Sequence, residues 1–411
     1  MNKIIKTIYR IYPKEVWVLT AIIFIFVSRK TIFNVRRNVG DFSASIDSGT
    51  GLALFGIIWG ALYLLRHRDM LRFAIKGMWP ILLYYIIAFS SFMWAGNAMP
   101  IIFKSLESIV NILLVGGIAY YIKEDKRMMF FAILLATFIP YMDVLPHILE
   151  RGFVLYHTNA YTIPAFMGFL LAWGCVKNGI FTLKEMRWIM ALNLYTWITG
   201  TSTASYISGI IGGIILLSSN ENGLKITRTL LTCIVVYIVF SYAEDIIYDF
   251  VSAGHSREAL ESGTGRDKLW TAAIKSWREN PWLGKGFIVG ETALGRTGQN
   301  SAHNSFMSAL TGMGIVGITA FCYFQYKWII TSFIKARTNV YASITFPAII
   351  AVSINLNACP ILGSNWSYVT DTVLMIVAAT FMVFITPNKG NNKTIEELVN
   401  QDSDEDYLGN T

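Results

Sequence analysis

Long apolar runs constrain the fold of this chain more than any other feature of its sequence. They lie at 16–28, 48–65, 77–95, 101–122, 128–142, 157–176, 186–200, 203–219, 226–242, 304–326, 341–356 and 366–386. In lipid every backbone polar group has to be hydrogen-bonded within the protein, and only helices and closed barrels achieve this across a membrane. The runs are too long and too continuous for barrel strands. We therefore expect an all-α polytopic membrane protein with about twelve transmembrane helices, one or two of the shorter being re-entrant or half-helices.

Composition agrees with lipid as the main solvent. Hydrophobic residues make up 54% of the 411 residues, whereas charged residues make up 15%. A soluble chain with so little charge would not cover its surface. The net charge of +8 is explained by Lys and Arg in cytoplasmic loops, so we expect membrane lipids and no nucleic acid as partners.

Basic residues also predict the orientation. The N-terminal segment MNKIIKTIYR is basic and is interpreted as the start of an uncleaved first span. The predicted spans place it on the same side of the membrane as the basic loops 66–72, 123–127, 177–184, 225–228 and 327–337. Positive loops face the cytoplasm, which predicts cytoplasmic N- and C-termini, although the first outer loop with Arg29, Lys30, Arg36 and Arg37 is an exception.

This topology divides the chain into four parts. We expect an N-terminal bundle of about nine spans at 1–242. A large polar loop at 243–303, outside the cytoplasm, then precedes the C-terminal spans at 304–386. The tail 387–411 is acidic and is expected to be disordered. Because ATP is not available on the outer side, chemistry in the loop would need a donor that is already activated.

The outer loop contains an amphipathic helical pattern at about 267–279. Trp270, Ile274 and Trp277 fall on one face, which predicts an interfacial helix lying flat on the membrane with its Trp residues among the headgroups. Arg266 stands at the start of this helix. A helix N-terminus and a guanidinium together favour an anion such as phosphate, but interfacial arginines are also common headgroup anchors.

His303 is the second candidate for chemistry. It precedes Asn304 and the apolar run 304–326. An imidazole can take a proton from a hydroxyl near neutral pH, although a histidine satisfied by a neighbouring carbonyl is the more common situation. Cys175, Cys233, Cys322 and Cys359 have no metal-ligand spacing, so we expect no metal and no cofactor.

Two further polar features interrupt the apolar runs. Lys104 and Glu107 are three residues apart in 101–122, so we expect them to pair, and intramembrane charges usually face a cavity. The segment 199-TGTSTASYISGIIGG-213 is small and hydroxylated. It suits close helix packing or the wall of a polar cavity.

Several of these residues together resemble a known family. Gly265-Arg266 with Trp270, the run 280-NPWLGKGF-287, the run 302-AHNSF-306, and Leu310, Gly314 and Gly317 look like the signature region of the O-antigen ligase and polymerase superfamily. The segment 91-SFMW-94 and the run 157-HTNAY-161 are similar to two earlier motifs of that family. The specific motifs are concentrated in 263–317.

The resemblance implies a metal-independent, inverting glycosyltransferase with a GT-C-like helical bundle in the bacterial inner membrane. Such a protein moves a glycan from undecaprenyl diphosphate to a sugar hydroxyl on the periplasmic side. Arg266 would bind the diphosphate, and His303 would orient or deprotonate the acceptor. When the acceptor hydroxyl displaces the diphosphate from the glycan, the reaction requires a cation that binds the leaving anion and a base that takes the hydroxyl proton.

One departure from the family concerns a second arginine. Members usually carry it ahead of the large loop, where this chain reads 199-TGTSTASYIS-208 without a basic residue. We expect Arg257, Lys268, Arg278 or Arg296 to supply the missing charge to the diphosphate, with Arg257 the first to test. Asn304, Arg278 and Arg296 are also expected to contact substrate.

Three functions remain open from the sequence. The missing arginine at 199–208 favours a polymerase for O-antigen, capsule or exopolysaccharide, because the resemblance implies that polymerases vary more in this segment. A chain-length regulator is then a potential partner. A ligase that moves the polymer onto lipid A–core shares the same donor. A transporter or flippase without chemistry would suit Lys104 and Glu107, but it needs no large outer loop, and the two halves of the chain show no obvious repeat.

Overall fold

The computed structural model describes residues 13–33, 48–122, 125–152, 159–200, 202–220, 223–224, 234, 266–292, 302–359, 362 and 368–385. The predicted span 226–242 (apart from Ile234), most of the loop 243–303 and the tail 387–411 lie outside these residues. The division into four parts therefore stays a prediction.

The regular secondary structure of the described residues is helical apart from one short hairpin. The first helices are α1 Lys14–Phe33, α2 Ser48–Arg66, α3 Arg68–Ser90, α4 Ala98–Ile122, α5 Asp125–Arg151, α6 Asn159–Lys177, α7 Leu183–Thr199 and α8 Thr203–Ser218. The later helices are α9 Arg266–Glu279, α10 Val289–Thr292, α11 Ser305–Lys335, α12 Val340–Asn355 and α13 Tyr368–Ile385. A 3₁₀ turn at Ser91–Met93 follows α3, and strands β1 Ser219–Asn220 and β2 Gly223–Leu224 pair antiparallel.

These helices confirm the all-α class, and the apolar ones among them indicate a membrane protein. Among the described residues, three segments are long and apolar enough to cross a bilayer when only length and composition are counted: Arg68–Met93, Ala98–Ile122 and Ser305–Lys335. The last of these is bent at Gly314. Shorter apolar helices are Thr50–Arg66, Tyr161–Lys177, Thr203–Ser218, Val340–Asn355 and Thr372–Val383. The expected number of about twelve spans remains a prediction.

Small residues bring the central helices close together. A Cβ placed on Gly116 of α4 would lie 2.6 Å from the Cβ of Ala74 in α3. Contacts of this kind let helices associate in lipid, where van der Waals packing replaces the hydrophobic effect. One continuous apolar core results, which extends from Val16 in α1 to Val383 in α13.

Lys104 and Glu107 pair inside this core, as their spacing predicts. Lys104 Nζ donates to Glu107 Oε2 at 2.9 Å, and the side chains are 3% and 0% exposed. Two charges removed from water in this way remain in the bundle because each compensates the other.

Helix α11 is a helical hairpin and not the single span expected at 304–326. Gly314 has φ 61° and ψ −154°, a conformation open to glycine because it lacks a Cβ. In a straight helix Phe306 and Phe321 would be about 22 Å apart, yet their ring centroids lie 5.1 Å apart. A Cβ on Gly317 would also lie 3.2 Å from the Ala309 carbonyl oxygen. A first leg, 305–313, therefore folds back at Gly314 onto a second leg, 315–335.

Candidate active site

The 280-NPWLGKGF-287 segment caps both legs of the α11 hairpin. The N–H groups of Lys285 and Gly286 donate to the carbonyls of Thr311 and Gly312, at 3.0 and 2.7 Å. These carbonyls end the first leg, where no intrahelical donor is available.

The second leg is capped by carbonyls from the same segment. The N–H of Ile315 donates to Pro281 O at 2.9 Å, and that of Val316 donates to Trp282 O at 3.3 Å. The 281–286 loop thus takes the place of the hydrogen bonds that the bend at Gly314 removes. Irregular backbone of this kind is tolerated at membrane depth where protein surrounds it.

Glycine is required where the two segments touch. A Cβ on Gly284, which has φ 63°, would lie 2.6 Å from the backbone of Gly312 and Gly314. A Cβ on Gly314 would lie 2.4 Å from the Trp282 carbonyl. Gly284 of the 280–287 motif and Gly314 of the hairpin therefore share one physical role, because each lets two backbone segments approach closely.

The earlier 91-SFMW-94 motif reaches the same loop. The indole Nε1 of Trp94 donates to Leu283 O at 2.9 Å, and the Phe287 N–H donates to Ser91 Oγ at 2.9 Å. Ser91 is buried. Three motifs that are far apart in the sequence are thereby joined at one end of the bundle.

Helix α9 runs beside the first leg of the hairpin. Its start is tied to the His303 segment, because the indole Nε1 of Trp270 donates to Ala302 O at 3.1 Å. Ala273 packs with Ala302 and Met307. The chain that follows α9 meets the hairpin bend through the Pro281–Ile315 bond. Helix α9 and the first leg therefore extend side by side from His303 towards the bend.

The face that α9 buries differs from the expected membrane-lying face. Leu269, Ala273 and Ser276 are buried, and Trp270 and Trp277 are half-buried. Trp277 donates from Nε1 to Pro281 O at 3.0 Å, so both indole N–H groups bond to protein carbonyls. The predicted helix bounds are confirmed within one residue. Both tryptophans are partly exposed and each donates its indole N–H to a protein carbonyl, and the position of the helix on the membrane surface stays a prediction.

His303 lies in a backbone conformation that few residues adopt. Its φ is 47°, in the left-handed region that costs an L-residue about 1–2 kcal/mol. Such conformations persist where surrounding contacts determine them, and they occur often at functional sites. The residue as a whole is half-buried.

Asn304 fixes the chain directly after His303. Its Oδ1 accepts from the N–H groups of Phe306 and Met307 at 2.9 and 3.1 Å, which makes it the N-cap of the first leg. Its Nδ2 donates to Asn357 O at 3.1 Å. Both ends of this amide are therefore engaged in holding the backbone. Contact between Asn304 and substrate stays a prediction.

The turn after α12 supports the same segment from the other side. The N–H of Ser305 donates to Leu356 O at 2.9 Å, and its Oγ donates to Cys359 O at 2.8 Å. With the Asn304–Asn357 bond, three carbonyls of the 356–359 turn bind residues 304 and 305.

Phe321, which contacts Phe306, lies seven residues beyond Gly314, so His303 is set back from the bend by about 10 Å along the second leg.

Two helix N-termini meet beside His303. Helix α9 begins at Arg266, and Trp270 lies about 6 Å further along its axis. The first leg of α11 begins at Ser305. The positive ends of both helix dipoles favour negative charge here, but the first N–H groups of α11 are already bonded. Direct anion binding would therefore use the start of α9.

The other predicted site residues are distributed along α9 or lie outside the described residues. Lys268 is exposed in the first turn of α9, beside its start. Arg278 is exposed in the last turn, about 18 Å from Arg266 along the axis, so the structure does not bring these two together. Arg257, Arg296 and the side chain of Arg266 lie outside the described residues.

Sequence reasoning did not identify what holds His303. Trp270 was expected at the headgroups, and Ser305 and the 356–359 turn gave no recognisable signal, since their roles depend on contacts between distant segments. The indole N–H of Trp270 was the available clue, because it has to find an acceptor when buried.

Within the part of the chain that the structure describes, no three His, Cys, Asp or Glu side chains group in the way a metal site requires. The metal-independent reaction expected from the sequence remains a prediction.

Comparison with known proteins places this region in a family. Residues 188–322 match the family model described as O-antigen ligase. The match covers α9, the 281–286 loop, His303 and the hairpin bend, and it confirms the resemblance to the O-antigen ligase and polymerase superfamily. It indicates a function of the O-antigen ligase or polymerase type. No curated protein matches the chain significantly.

Proposed function

Taking as premise that the chain carries an O-antigen ligase domain at 188–322, we propose that it is an inner-membrane polysaccharide polymerase. It moves a glycan from undecaprenyl diphosphate to a sugar hydroxyl of a second lipid-linked glycan, on the periplasmic side. The observation that carries the proposal is the Trp270–Ala302 hydrogen bond, because it couples the start of the Arg266 helix to His303.

The proposed reaction is a single inverting displacement. The acceptor hydroxyl oxygen attacks the anomeric carbon of the donor glycan from the face opposite the diphosphate. A bond forms between them while the bond from that carbon to the diphosphate oxygen breaks, and its electron pair leaves with the lipid diphosphate. The hydroxyl proton passes to the His303 imidazole and then to water.

Charge on the leaving diphosphate has to be stabilised. Arg266 stands at the start of α9, where the helix dipole and a guanidinium act on the same anion. Lys268, exposed in the same turn, adds a second positive charge. Arg257 and Arg296 remain proposals for donor and acceptor binding, and Arg257→Ala would weaken the apparent affinity for the lipid donor if it replaces the family arginine.

The contacts around His303 support its assignment as the base. The left-handed backbone at His303 and the bonds to Ala302, Asn304 and Ser305 hold the backbone that carries the imidazole in one place. A base held in position before substrate arrives lowers the entropic part of the barrier.

A ligase is the second candidate, because O-antigen ligase is the description of the matching family. It would use the same donor with lipid A–core as acceptor. The absence of a basic residue from 199–208 favours the polymerase. A deletion strain separates them, since capping of lipopolysaccharide with a single repeat indicates a lost polymerase, whereas polymer retained on undecaprenyl diphosphate indicates a lost ligase.

Purified protein in lipid nanodiscs tests the proposal. It is incubated with undecaprenyl diphosphate-linked repeat units, without ATP and with a metal chelator. Glycans longer than one repeat, together with released undecaprenyl diphosphate, support the polymerase. Transfer only when lipid A–core is added supports the ligase, and no transfer to either acceptor overturns the proposed chemistry.

A further inference from the structure

A buried polar cluster joins three helices next to the turn that holds His303. Ser205 of α8 is its centre, and its Oγ lies 2.7 Å from Thr162 Oγ1 of α6. Asn355, the last residue of α12, donates from Nδ2 to Ser205 Oγ at 3.3 Å and to Ser208 Oγ at 3.5 Å. Ser202 Oγ also donates to Ser205 Oγ at 3.0 Å. We call Thr162, Ser202, Ser205, Ser208 and Asn355 the hydroxyl–amide cluster.

The cluster is separated from water. Thr162 and Ser205 are 0% exposed, and Ser208 and Asn355 are 1% exposed. Hydrogen bonds are directional, so they fix the end of α12 relative to α6 and α8 more narrowly than apolar contacts would. Neutral groups at this burial do not offer a site for a diphosphate.

The chain leaves the cluster directly into the 356–359 turn. Leu356 follows Asn355, and its carbonyl accepts from the Ser305 N–H. The next carbonyl, of Asn357, accepts from Asn304 Nδ2, and that of Cys359 accepts from Ser305 Oγ. A displacement of Asn355 would therefore move the groups that fix the two residues after His303.

From this chain of contacts we infer that Asn355 and Ser205 are positioning residues for His303. They act through the 356–359 turn and have no contact with substrate. The part of the inference that concerns catalysis rests on the proposed function. Ser205 belongs to the 199–208 segment, which thus supports the base in this chain.

The bundle contains a matched control. Asn193 of α7 donates from Nδ2 to Thr137 Oγ1 of α5 at 2.7 Å. It is 1% exposed, like Asn355, but it lies in α7, whereas Asn355 directly precedes the 356–359 turn. Asn193→Leu removes one buried amide–hydroxyl bond between helices, and Asn355→Leu removes the corresponding bonds to Ser205 and Ser208. Thr137→Ala is the control for Ser205→Ala, because each removes the hydroxyl that accepts from the amide.

The first measurement is independent of glycan transfer. Diethyl pyrocarbonate modifies accessible imidazoles, and mass spectrometry of the full-length protein in nanodiscs gives separate rates for His303 and His67. We expect Asn355→Leu and Ser205→Ala to raise the His303 rate several-fold with the His67 rate unchanged. Asn193→Leu and Thr137→Ala leave both rates unchanged. An unaltered His303 rate in both cluster variants overturns the inference, whatever the protein transfers.

The second measurement uses the transfer assay. A residue that acts through the base lowers kcat without raising KM for the lipid donor, and displacement by about 1 Å costs up to about a hundredfold. We expect Asn355→Leu to have little further effect on the slow transfer by His303→Ala, whereas Asn193→Leu has the same effect in both backgrounds. An equal loss from Asn355→Leu in both backgrounds overturns the catalytic part of the inference. Absence of wild-type transfer overturns the proposed function and leaves the modification result standing.

Discussion

The indole nitrogen of Trp270 donates a hydrogen bond to the carbonyl oxygen of Ala302, across 3.1 Å and 32 positions of sequence. This bond connects the helix that begins at Arg266 with the residue that precedes His303. It ties the segment that begins at Arg266 to the segment that contains His303, both within the polar loop 243–303, at one end of the helical bundle.

Removal of that donor should slow transfer. Trp270→Phe keeps the ring packing and deletes the Nε1–H, so Ala302 O loses its partner and His303 is held less firmly. We expect kcat to fall about tenfold, measured by glycan transfer in nanodiscs.

Trp277→Phe is the matched control at the other end of α9. It deletes the indole donor to Pro281 O, a carbonyl that also accepts from Ile315. Near-wild-type transfer is expected. Equal losses in the two variants would show that the Trp270–Ala302 bond has no special part in the site.

Gly314→Ala should destabilise the hairpin. The new Cβ would lie 2.4 Å from the Trp282 carbonyl, at a backbone φ of 61°. We expect a clear loss of folded protein and a lower Tm in detergent. Gly213→Ala in α8 meets its nearest atom at 3.8 Å and should keep the wild-type Tm, so similar Tm values for both variants would contradict the proposed bend.

The buried Lys104–Glu107 pair gives a prediction for stability. Lys104→Met leaves the Glu107 carboxylate buried without its cation, and loss of one partner of such a pair costs about 3–5 kcal/mol. The Tm should therefore fall markedly. The double variant Lys104→Met/Glu107→Leu leaves no buried charge of this pair, and its Tm should recover most of that loss. If the double variant has a Tm as low as that of the single variant, the unpaired Glu107 charge is not the cause of the instability.

The sequence predicted helices, pairs and motifs, whereas contacts between segments required the structure. Apolar runs predicted the helical class, and the 267–279 pattern predicted α9, because periodicity is a local property. The Lys104–Glu107 pair followed from spacing within one helix. The bend at Gly314 could not be predicted from an apolar run, since the loop 281–286 that caps both legs comes from a different part of the chain.

The residue types of the site could be predicted from the sequence, but the contacts that hold those residues in place could not. Arg266 and His303 were selected through motif resemblance and general chemistry. The backbone conformation of His303, and its attachment to Trp270 and to the 356–359 turn, depend on tertiary contacts that leave no periodic signal.

Transfer by the Arg266 and His303 variants tests the proposed chemistry most directly. Purified wild-type, Arg266→Ala, His303→Ala and Lys275→Ala proteins are compared in nanodiscs with undecaprenyl diphosphate-linked glycan. Lys275 is exposed on α9 and serves as the control for loss of one surface cation. We expect the Arg266 and His303 variants to fold normally and to lose at least about a hundredfold in kcat, with Lys275→Ala near wild type. Near-wild-type transfer by either Arg266→Ala or His303→Ala would contradict the role proposed for that residue.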